Sequence, residues 1–169
     1  MKKICFIVSS PLTASSFLRG PINKLSKLFD IYLVVNLNNK HKDLINGLDV
    51  KKVFHFDIVR KISLFKDLLC LIKVIYFFKK NKFHAIHSVS PKAGLIAMLG
   101  GYISGIKIRI HTFTGQVWIS KKGFIRMTLV FVDKLISQLS TLILTDGKSQ
   151  LDFLIKNKIV DKNAKVLGK

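Results

Sequence analysis

Short apolar runs alternate along this chain with longer segments of helical period, and this alternation constrains the fold more than any other feature. The six apolar runs have the length of buried strands and lie at 3–8, 31–35, 52–56, 84–87, 107–110 and 141–144. The segments with helical spacing lie at 15–28, 62–80, 91–103, 123–139 and 147–157. Repeated βα units of this kind build a parallel sheet that helices cover. The sequence therefore predicts an α/β fold with a mostly parallel sheet.

The length of 169 residues predicts a single domain over residues 1–169, and the 49% hydrophobic content predicts that it folds. After the last helical segment, residues 160–165 have the composition of a loop, and 166–167 begin another apolar run. A domain rarely ends by opening a new strand. We therefore expect that the chain is cut before a further domain.

The formal net charge of +20 predicts an anionic partner, because 29 basic residues stand against nine acidic ones. Nucleic acid, an anionic membrane surface and phosphorylated substrates all fit this charge. Only four of the basic residues are arginine, however, and nucleic-acid readers depend on arginine for forked contacts. A nucleic-acid partner is therefore not expected. A bias of the source genome towards A and T is an alternative cause of the lysine excess.

Metal and cofactor chemistry are not expected from the residue types. The two cysteines, Cys5 and Cys70, lie far apart in apolar surroundings, and no cluster has metal-ligand spacing. The loop after the first strand lacks the glycines of a dinucleotide fingerprint. All nine acidic residues are aspartate, so a mechanism that requires glutamate must obtain it from outside this sequence.

Three polar segments follow predicted strands, where open parallel sheets bind their ligands. In the first, residues 9–16, Ser10 is either a helix N-cap or a hydrogen-bond donor to a polar ligand, and Arg19 favours the ligand. In the second, Ser90 and Lys92 flank Pro91. A lysine in the first helical turn is unfavourable because its charge opposes the helix dipole, so this position favours a binding role for Lys92 over a purely structural one.

The third segment contains the densest set of polar groups, His111, Thr112, Thr114 and Gln116, together with the only tryptophan, Trp118. We expect these groups to lie just beyond a strand and to form a binding site, with Trp118 as a flat surface on which a sugar stacks. A histidine with a purely structural role is the alternative.

A further segment, residues 60–82, interleaves seven basic residues with apolar and aromatic ones. Such a helix can lie on an anionic bilayer, or it can pack on the core and expose a face of lysines. No stretch reaches the roughly 18 uninterrupted apolar residues that a membrane crossing needs.

These motifs resemble the N-terminal half of family 4 glycosyltransferases, in particular the bacterial enzymes that build capsule and O-antigen polysaccharides. The resemblance rests on residues 87–94 (HSVSPKAG), 109–118 (RIHTFTGQVW) and 145–154 (TDGKSQLDFL), and it covers nearly the whole chain. It implies one Rossmann-like, three-layer α/β/α half of a GT-B enzyme, whose active site lies between two such halves.

The resemblance also implies an activity: retaining transfer, without a metal, of a sugar from a nucleotide sugar to a saccharide linked to polyprenyl diphosphate. The N-terminal half holds the acceptor, and the other half holds the donor and carries paired glutamates. That other half is a missing C-terminal domain or, as an alternative, a partner chain. The implied location is cytoplasmic, peripheral at the inner membrane.

Many family members have a catalytic-cleft histidine where this chain has Thr114. Either Thr114 serves as a contact in its place, or His111 contributes from nearby; these two are the predicted catalytic positions. The residues predicted to bind the acceptor are Ser10, Phe17, Arg19, Ser90, Lys92, Gly115 and Gln116. A chain that is not an enzyme, as a basic membrane- or nucleic-acid-binding fragment, is the remaining alternative.

Overall fold

Seven parallel strands form one sheet in the computed structural model, which describes residues 1–38, 42–58, 63–161 and 164–166. The strands are β1 (Lys3–Val8), β2 (Asp30–Val35), β3 (Lys52–His55), β4 (Ala85–Val89), β5 (Ile108–Phe113), β6 (Leu142–Thr145) and β7 (Lys165–Val166). The order across the sheet is β3-β2-β1-β4-β5-β6-β7, and every pair of neighbours is parallel. This confirms the predicted parallel α/β sheet.

The helices cover the two faces of the sheet unequally. They are α1 (Pro11–Leu25), α2 (Leu64–Asn81), α3 (Pro91–Ile103), α4 (Gly123–Leu139) and α5 (Lys148–Lys156), with short 3₁₀ helices η1 (Lys42–Ile45) and η2 (Val117–Ser120). Helix α1 and η1 pack on the face that carries Phe6 and Val8. Helices α2 to α5 pack on the face that carries Cys5 and Ile7. The three-layer α/β/α architecture is thus confirmed.

Two strands run further than the sequence indicated. Strand β5 continues to Phe113, so His111 and Thr112 lie inside the sheet, and the expectation that they follow the strand was wrong. Strand β4 likewise includes Ser88. These polar residues stay in the strands because they pair with each other across β4 and β5, in the register His87↔Ile110, Ser88↔His111 and Val89↔Thr112.

The first helix begins earlier than predicted. Ser10 is its N-cap, and Pro11 occupies the first turn, where its missing N–H costs nothing. The connection after β1 is therefore two residues long, and Ser15 and Ser16 belong to the helix rather than to the loop.

The predicted strand near residue 166 is present as β7, which pairs with β6. Its predicted continuation at 167 lies outside the described residues. The same holds for Arg60, at the start of the basic segment, and for the predicted helix start at 62.

Candidate functional site

The strand order reverses between β1 and β4. In open parallel sheets such a reversal forms a ligand-binding crevice at the carboxyl ends of the two strands. From β1 the chain turns towards β2, whereas from β4 it turns towards β5, so the two connections diverge and leave a gap. Helices α1 and α3 both begin at this gap. Their N-termini place partial positive charge there, which favours an anionic or hydroxyl-rich ligand. Pro11 and Pro91 have no N–H, and the Thr13 N–H donates to Ser10 Oγ, so the other first-turn N–H groups are those that a ligand could use.

Serines line the crevice from both sides. The Ser9 and Ser90 hydroxyls are hydrogen-bonded across it at 3.1 Å. Ser10 is buried, and its Oγ accepts a hydrogen bond from the Thr13 backbone N–H at 3.3 Å and bonds to the Thr13 hydroxyl at 2.9 Å. Ser10 is thus an N-cap, and its hydroxyl is occupied inside α1. Ser9, which the sequence did not single out, faces Ser90 instead.

Ser90 has a strained backbone. Its φ of 79° and ψ of 146° lie in a region that glycine occupies far more readily than other residues. It is the N-cap of α3, and its side chain makes no capping hydrogen bond. Backbone strain of this kind costs on the order of 1–3 kcal/mol and tends to occur at binding and catalytic sites.

Lys92 forms an ion pair with Asp67, with 2.7 Å between Nζ and Oδ1. The pair joins the first turn of α3 to the first turn of α2, and both side chains are largely buried. The carboxylate compensates the unfavourable position of a cation at a helix N-terminus. A structural role therefore accounts for the position of Lys92, and a binding role stays a prediction.

Two hydrogen bonds link polar side chains inside the sheet below the crevice. His87 Nε2 bonds to Thr112 Oγ1 at 2.7 Å, and His111 Nδ1 bonds to Ser88 Oγ at 2.8 Å. Burial lowers the pKa of His87 to about 4 and that of His111 to about 3, where proximity to His87 adds to the effect. Both imidazoles are therefore neutral near pH 7.

His111 lies directly under helix α3. A β-carbon on Gly94 would come within 2.5 Å of His111 Cε1, so only glycine allows the helix to sit this close. The side chain is 1% exposed, and its Nε2 has no hydrogen-bond partner among the described residues. This placement favours a role inside the fold over direct contact with a substrate.

The loop after β5 is the part of the third polar segment that leaves the sheet. Thr114 is half-buried, and Gly115 is exposed with a φ of 142°, a conformation suited to glycine. Gln116 is buried, and its Nε2 has no hydrogen-bond partner among the described residues. An unpaired buried amide is costly, so Gln116 is available to a ligand or a bound water.

Trp118 is buried and is not the sugar-stacking surface that we expected. Its Nε1–H donates to Asp133 Oδ2 at 2.8 Å, and its ring stacks on Phe153 with 5.4 Å between centroids. The Arg126 guanidinium lies 5.3 Å from the same ring. Burial raises the pKa of Asp133 to about 6, although the indole hydrogen bond opposes that rise. Trp118 therefore anchors η2 to α4 and α5.

The two remaining predicted residues lie on α1. Phe17 is half-buried and packs against the core on the α1 side of the sheet. Arg19 donates to Ser15 Oγ at 3.3 Å and to the Leu44 carbonyl at 3.2 Å, which ties α1 to η1. The structure brings Ser90 and Ser9 together at the crevice, whereas Arg19 is held against η1.

Sequence reasoning missed the buried carboxylate of Asp133 and the Asp67–Lys92 pair. Asp133 was detectable in principle, since it is a lone acid among the apolar residues of a predicted helix. Among the described residues, no group of three or more histidine, cysteine or acidic side chains is placed to hold a metal ion.

The chain is similar in sequence to part of two glycosyltransferases. It is 32% identical over 148 residues to the capsular polysaccharide biosynthesis glycosyltransferase CapM of Staphylococcus aureus, over 86% of this chain and 36% of that protein. It is 25% identical over 134 residues to the UDP-Gal:alpha-D-GlcNAc-diphosphoundecaprenol alpha-1,3-galactosyltransferase of Escherichia coli, over 79% of this chain and 34% of that one. No protein-family model matches the chain.

Solved structures support the fold. A UDP-N-acetylglucosamine 2-epimerase from Rickettsia bellii superposes with a TM-score of 0.73 at 16% identity, over 98% of this chain and 44% of that chain. At this identity the likeness shows the fold alone, which is that of GT-B enzymes. The chain spans about a third of the length of its two curated relatives. It is therefore a homologue of bacterial polysaccharide glycosyltransferases and has the Rossmann-like fold of one half of a GT-B enzyme.

Proposed function

We propose that this chain is the acceptor-binding half of a retaining glycosyltransferase. The complete enzyme moves a sugar from a nucleotide sugar to a saccharide linked to polyprenyl diphosphate during synthesis of a surface polysaccharide. The observation that carries the proposal is the crevice between β1 and β4, because two helix N-termini and the Ser9–Ser90 pair meet there. The Escherichia coli relative is a galactosyltransferase that acts on GlcNAc-diphosphoundecaprenol, and this supports the acceptor class.

The crevice suits a diphosphate or the hydroxyls of a sugar. The first N–H groups of α1 and α3 donate to an anion without a metal, and the hydroxyls of Ser9 and Ser90 turn from each other to the ligand at little cost. Lys92 adds positive charge, which Asp67 partly neutralises at 2.7 Å. These groups bind and orient the acceptor.

The β5–η2 loop supplies the contacts beside the reacting sugar. Thr114 donates to or accepts from a sugar hydroxyl, and Gly115 permits close approach of a ligand to the backbone. Gln116 contributes its unpaired amide N–H₂. A threonine hydroxyl does not exchange protons near neutral pH as an imidazole does, so we assign Thr114 as a contact. The donor and the paired glutamates belong to the other half of the enzyme.

Binding to the isolated chain tests this division of labour. The acceptor probe is GlcNAc-diphosphate on a short prenyl chain, which mimics the GlcNAc-diphosphoundecaprenol acceptor of the Escherichia coli relative. We expect calorimetry to show acceptor binding that Ser90→Ala and Thr114→Val each weaken about tenfold, which corresponds to about 1.4 kcal/mol. Ser149→Ala, at an exposed position on α5, is the matched control. Tighter binding of a nucleotide sugar than of the acceptor would contradict the proposal.

Transfer activity requires the donor half. We expect none from this chain alone, and we expect activity when a donor domain is supplied, either in the same polypeptide or as a separate subunit. In the second case the two chains form a stable complex and mixing them restores transfer.

We further propose that the protein is cytoplasmic and touches the inner membrane through helix α2. The outer face of α2 carries exposed apolar residues together with lysines, whereas a solvated face would carry lysines alone. The apolar residues are Phe65, Leu68, Leu69, Ile72 and Tyr76. The exposed lysines beside them are Lys66, Lys73, Lys79 and Lys80. No helix among the described residues is long and apolar enough to cross a bilayer, so the contact is with the surface.

A further inference from the structure

Helix α4 carries a second exposed apolar surface, separate from the one on α2 and outside the basic segment at residues 60–82. Phe124, Met127 and Phe131 are 82%, 68% and 64% exposed and recur at helical spacing along one side of the helix. Ile125 lies beside them on the helix, and Val117 and Ile119 are exposed on the preceding η2. We call these six residues the α4 patch.

The α4 patch is exposed because only the second half of α4 packs firmly on the sheet. Residues 121–128 are all exposed, whereas Asp133 and Ile136 are buried. The Trp118–Asp133 hydrogen bond fixes η2 against the helix at this point. The first two turns of α4 and the 3₁₀ helix thus form a firmly held apolar projection. Soluble proteins rarely expose such a patch unless a partner covers it.

Basic residues surround the α4 patch and define its partner. Lys121 and Lys122 immediately precede α4, Arg126 lies between Ile125 and Met127, and all three are exposed; residues 117–132 contain no acidic residue. An apolar surface with three positive charges is complementary to a partner that has an anionic outer layer and an apolar interior. Basic residues near an anionic membrane add electrostatic attraction to the burial of the apolar side chains.

The position of the α4 patch favours a bilayer over a protein partner. Helix α3 packs between α2 and α4 on the same face of the sheet, so the α2 stripe (Phe65, Leu68, Leu69, Ile72 and Tyr76) and the α4 patch flank the same helix. Both combine apolar side chains with lysines. A bilayer contacts both at once because it is extended and uniform in composition, whereas one protein partner would need two separate basic-apolar binding surfaces.

We propose that the α4 patch inserts into the interfacial region of an anionic bilayer and acts as a second anchor beside the α2 stripe. The proposal rests on the membrane contact proposed above and does not depend on sugar transfer. Two anchors on either side of α3 fix the orientation of the domain on the membrane, whereas a single helix allows it to roll.

Vesicle binding with matched triple variants tests the α4 patch. Vesicles of phosphatidylcholine with 30 mol% phosphatidylglycerol, roughly the charge of an anionic membrane surface, are compared with vesicles of pure phosphatidylcholine. We expect Phe124→Ser/Met127→Ser/Phe131→Ser to lower the partition coefficient at least tenfold on the anionic vesicles, with a native circular dichroism spectrum and melting temperature. The double variant Leu12→Ser/Leu28→Ser removes exposed leucines on and just after α1, and we expect it to bind like the native chain.

The triple variant Phe65→Ser/Ile72→Ser/Tyr76→Ser distinguishes membrane contact through the α4 patch from membrane contact through α2. If it abolishes binding while the α4 variant binds normally, α2 is the only anchor and the present proposal is overturned. If the α4 variant loses binding and the α2 variant does not, the α4 patch stands and the earlier assignment of α2 falls. Equal losses support both anchors.

An environment-sensitive fluorophore on Phe124→Cys reports insertion directly. The native Cys5 and Cys70 are buried, so the label goes to the new thiol. We expect a blue shift and increased emission with anionic vesicles, and no change for the same label on Ser16→Cys, an exposed position on α1. Absence of a shift at position 124 would overturn the proposal. So would concentration-dependent dimerisation that the α4 variant abolishes, because the patch would then bind a second copy.

Discussion

Helices α3 and α4 lie side by side on the same face of the sheet, yet they use their apolar residues in opposite ways. Helix α3 is apolar around most of its circumference and is largely buried, with Ala93, Ala97 and Met98 inaccessible. The first half of α4 exposes its largest apolar side chains, and Phe124 is the most exposed of these. Apolar composition alone therefore does not distinguish a buried helix from a helix whose apolar side chains are exposed at the surface.

The two helices also attach to the sheet through different chemistry. Helix α3 approaches closely because glycines face the strands: Gly94 over His111, and Gly101 over Ile86 and Arg109. Helix α4 packs through its second half, where Ile136 is buried, and the Trp118–Asp133 hydrogen bond ties it to η2. Close backbone contact therefore fixes α3 along its length, whereas α4 is fixed in its second half and its first turns stay exposed.

We expect the largest difference between α3 and α4 in the free energy of unfolding, when one apolar side chain on each helix is truncated. Met98→Ala removes a fully buried side chain and leaves a cavity, so we expect a loss of about 2–5 kcal/mol in the free energy of unfolding. Phe131→Ala, on the exposed side of α4, should change it by less than about 0.5 kcal/mol. Urea unfolding of both variants measures this difference. Similar losses would show that α4 packs as tightly as α3.

Adding one methyl group to α3 tests its close approach. A β-carbon at Gly94 would lie 2.5 Å from His111 Cε1 and 2.8 Å from Nδ1, so Gly94→Ala should destabilise the fold by about 2 kcal/mol through overpacking. Gly20, in α1, has nothing within 4 Å of the corresponding position, but Pro21 follows it and disfavours the helical conformation of a residue with a β-carbon, so Gly20→Ala should change the stability by less than about 1 kcal/mol. Thermal melts should show a clearly larger loss for Gly94→Ala than any change for Gly20→Ala if α3 is held by backbone contact.

Asp133, which forms the hydrogen bond to Trp118, should make the free energy of unfolding depend on pH. The pKa of Asp133 is about 6 in the fold and 3.8 ordinarily, so the folded state binds an extra proton between these values and gains stability from this group as the pH falls through 6. Asparagine keeps an acceptor for the indole N–H and does not ionise. Asp133→Asn should therefore be more stable than the native chain at pH 8, by on the order of 2 kcal/mol, and this advantage should shrink towards pH 4.

The comparison at each pH cancels the titration of other groups, including His87 and His111. A constant difference between the two proteins from pH 8 to pH 4 would mean that Asp133 is not desolvated and that α4 is held in another way.

The fold was largely predictable because buried parallel strands are continuous apolar runs and the helices between them keep their period. The α4 segment was predicted with the bounds that the structure has, Gly123–Leu139. Strand ends were less predictable where polar residues continue a strand. His111 belongs to β5 because Ser88 lies opposite it, and this pairing depends on the order of strands rather than on local sequence.

The candidate site was predictable as a set of segments and less so as individual contacts. The Ser10–Pro11 pair was a readable helix start, yet the serines that follow it suggested a longer loop. Trp118 appeared suited to stack on a sugar because its partner, Asp133, is fifteen residues further along the chain. Local sequence shows which side chains are able to bind a ligand, and only tertiary structure shows which are already occupied.

The positive φ of Ser90 makes serine a less stable choice than glycine at this position. Glycine would adopt the same backbone without strain, and it is one substitution that selection for stability alone would favour. A serine there keeps a hydroxyl in the crevice, opposite Ser9, at the expense of stability. Ser90→Gly would therefore relieve the backbone strain and remove the hydroxyl at the same time, so stability and a contact in the crevice oppose each other at this one position.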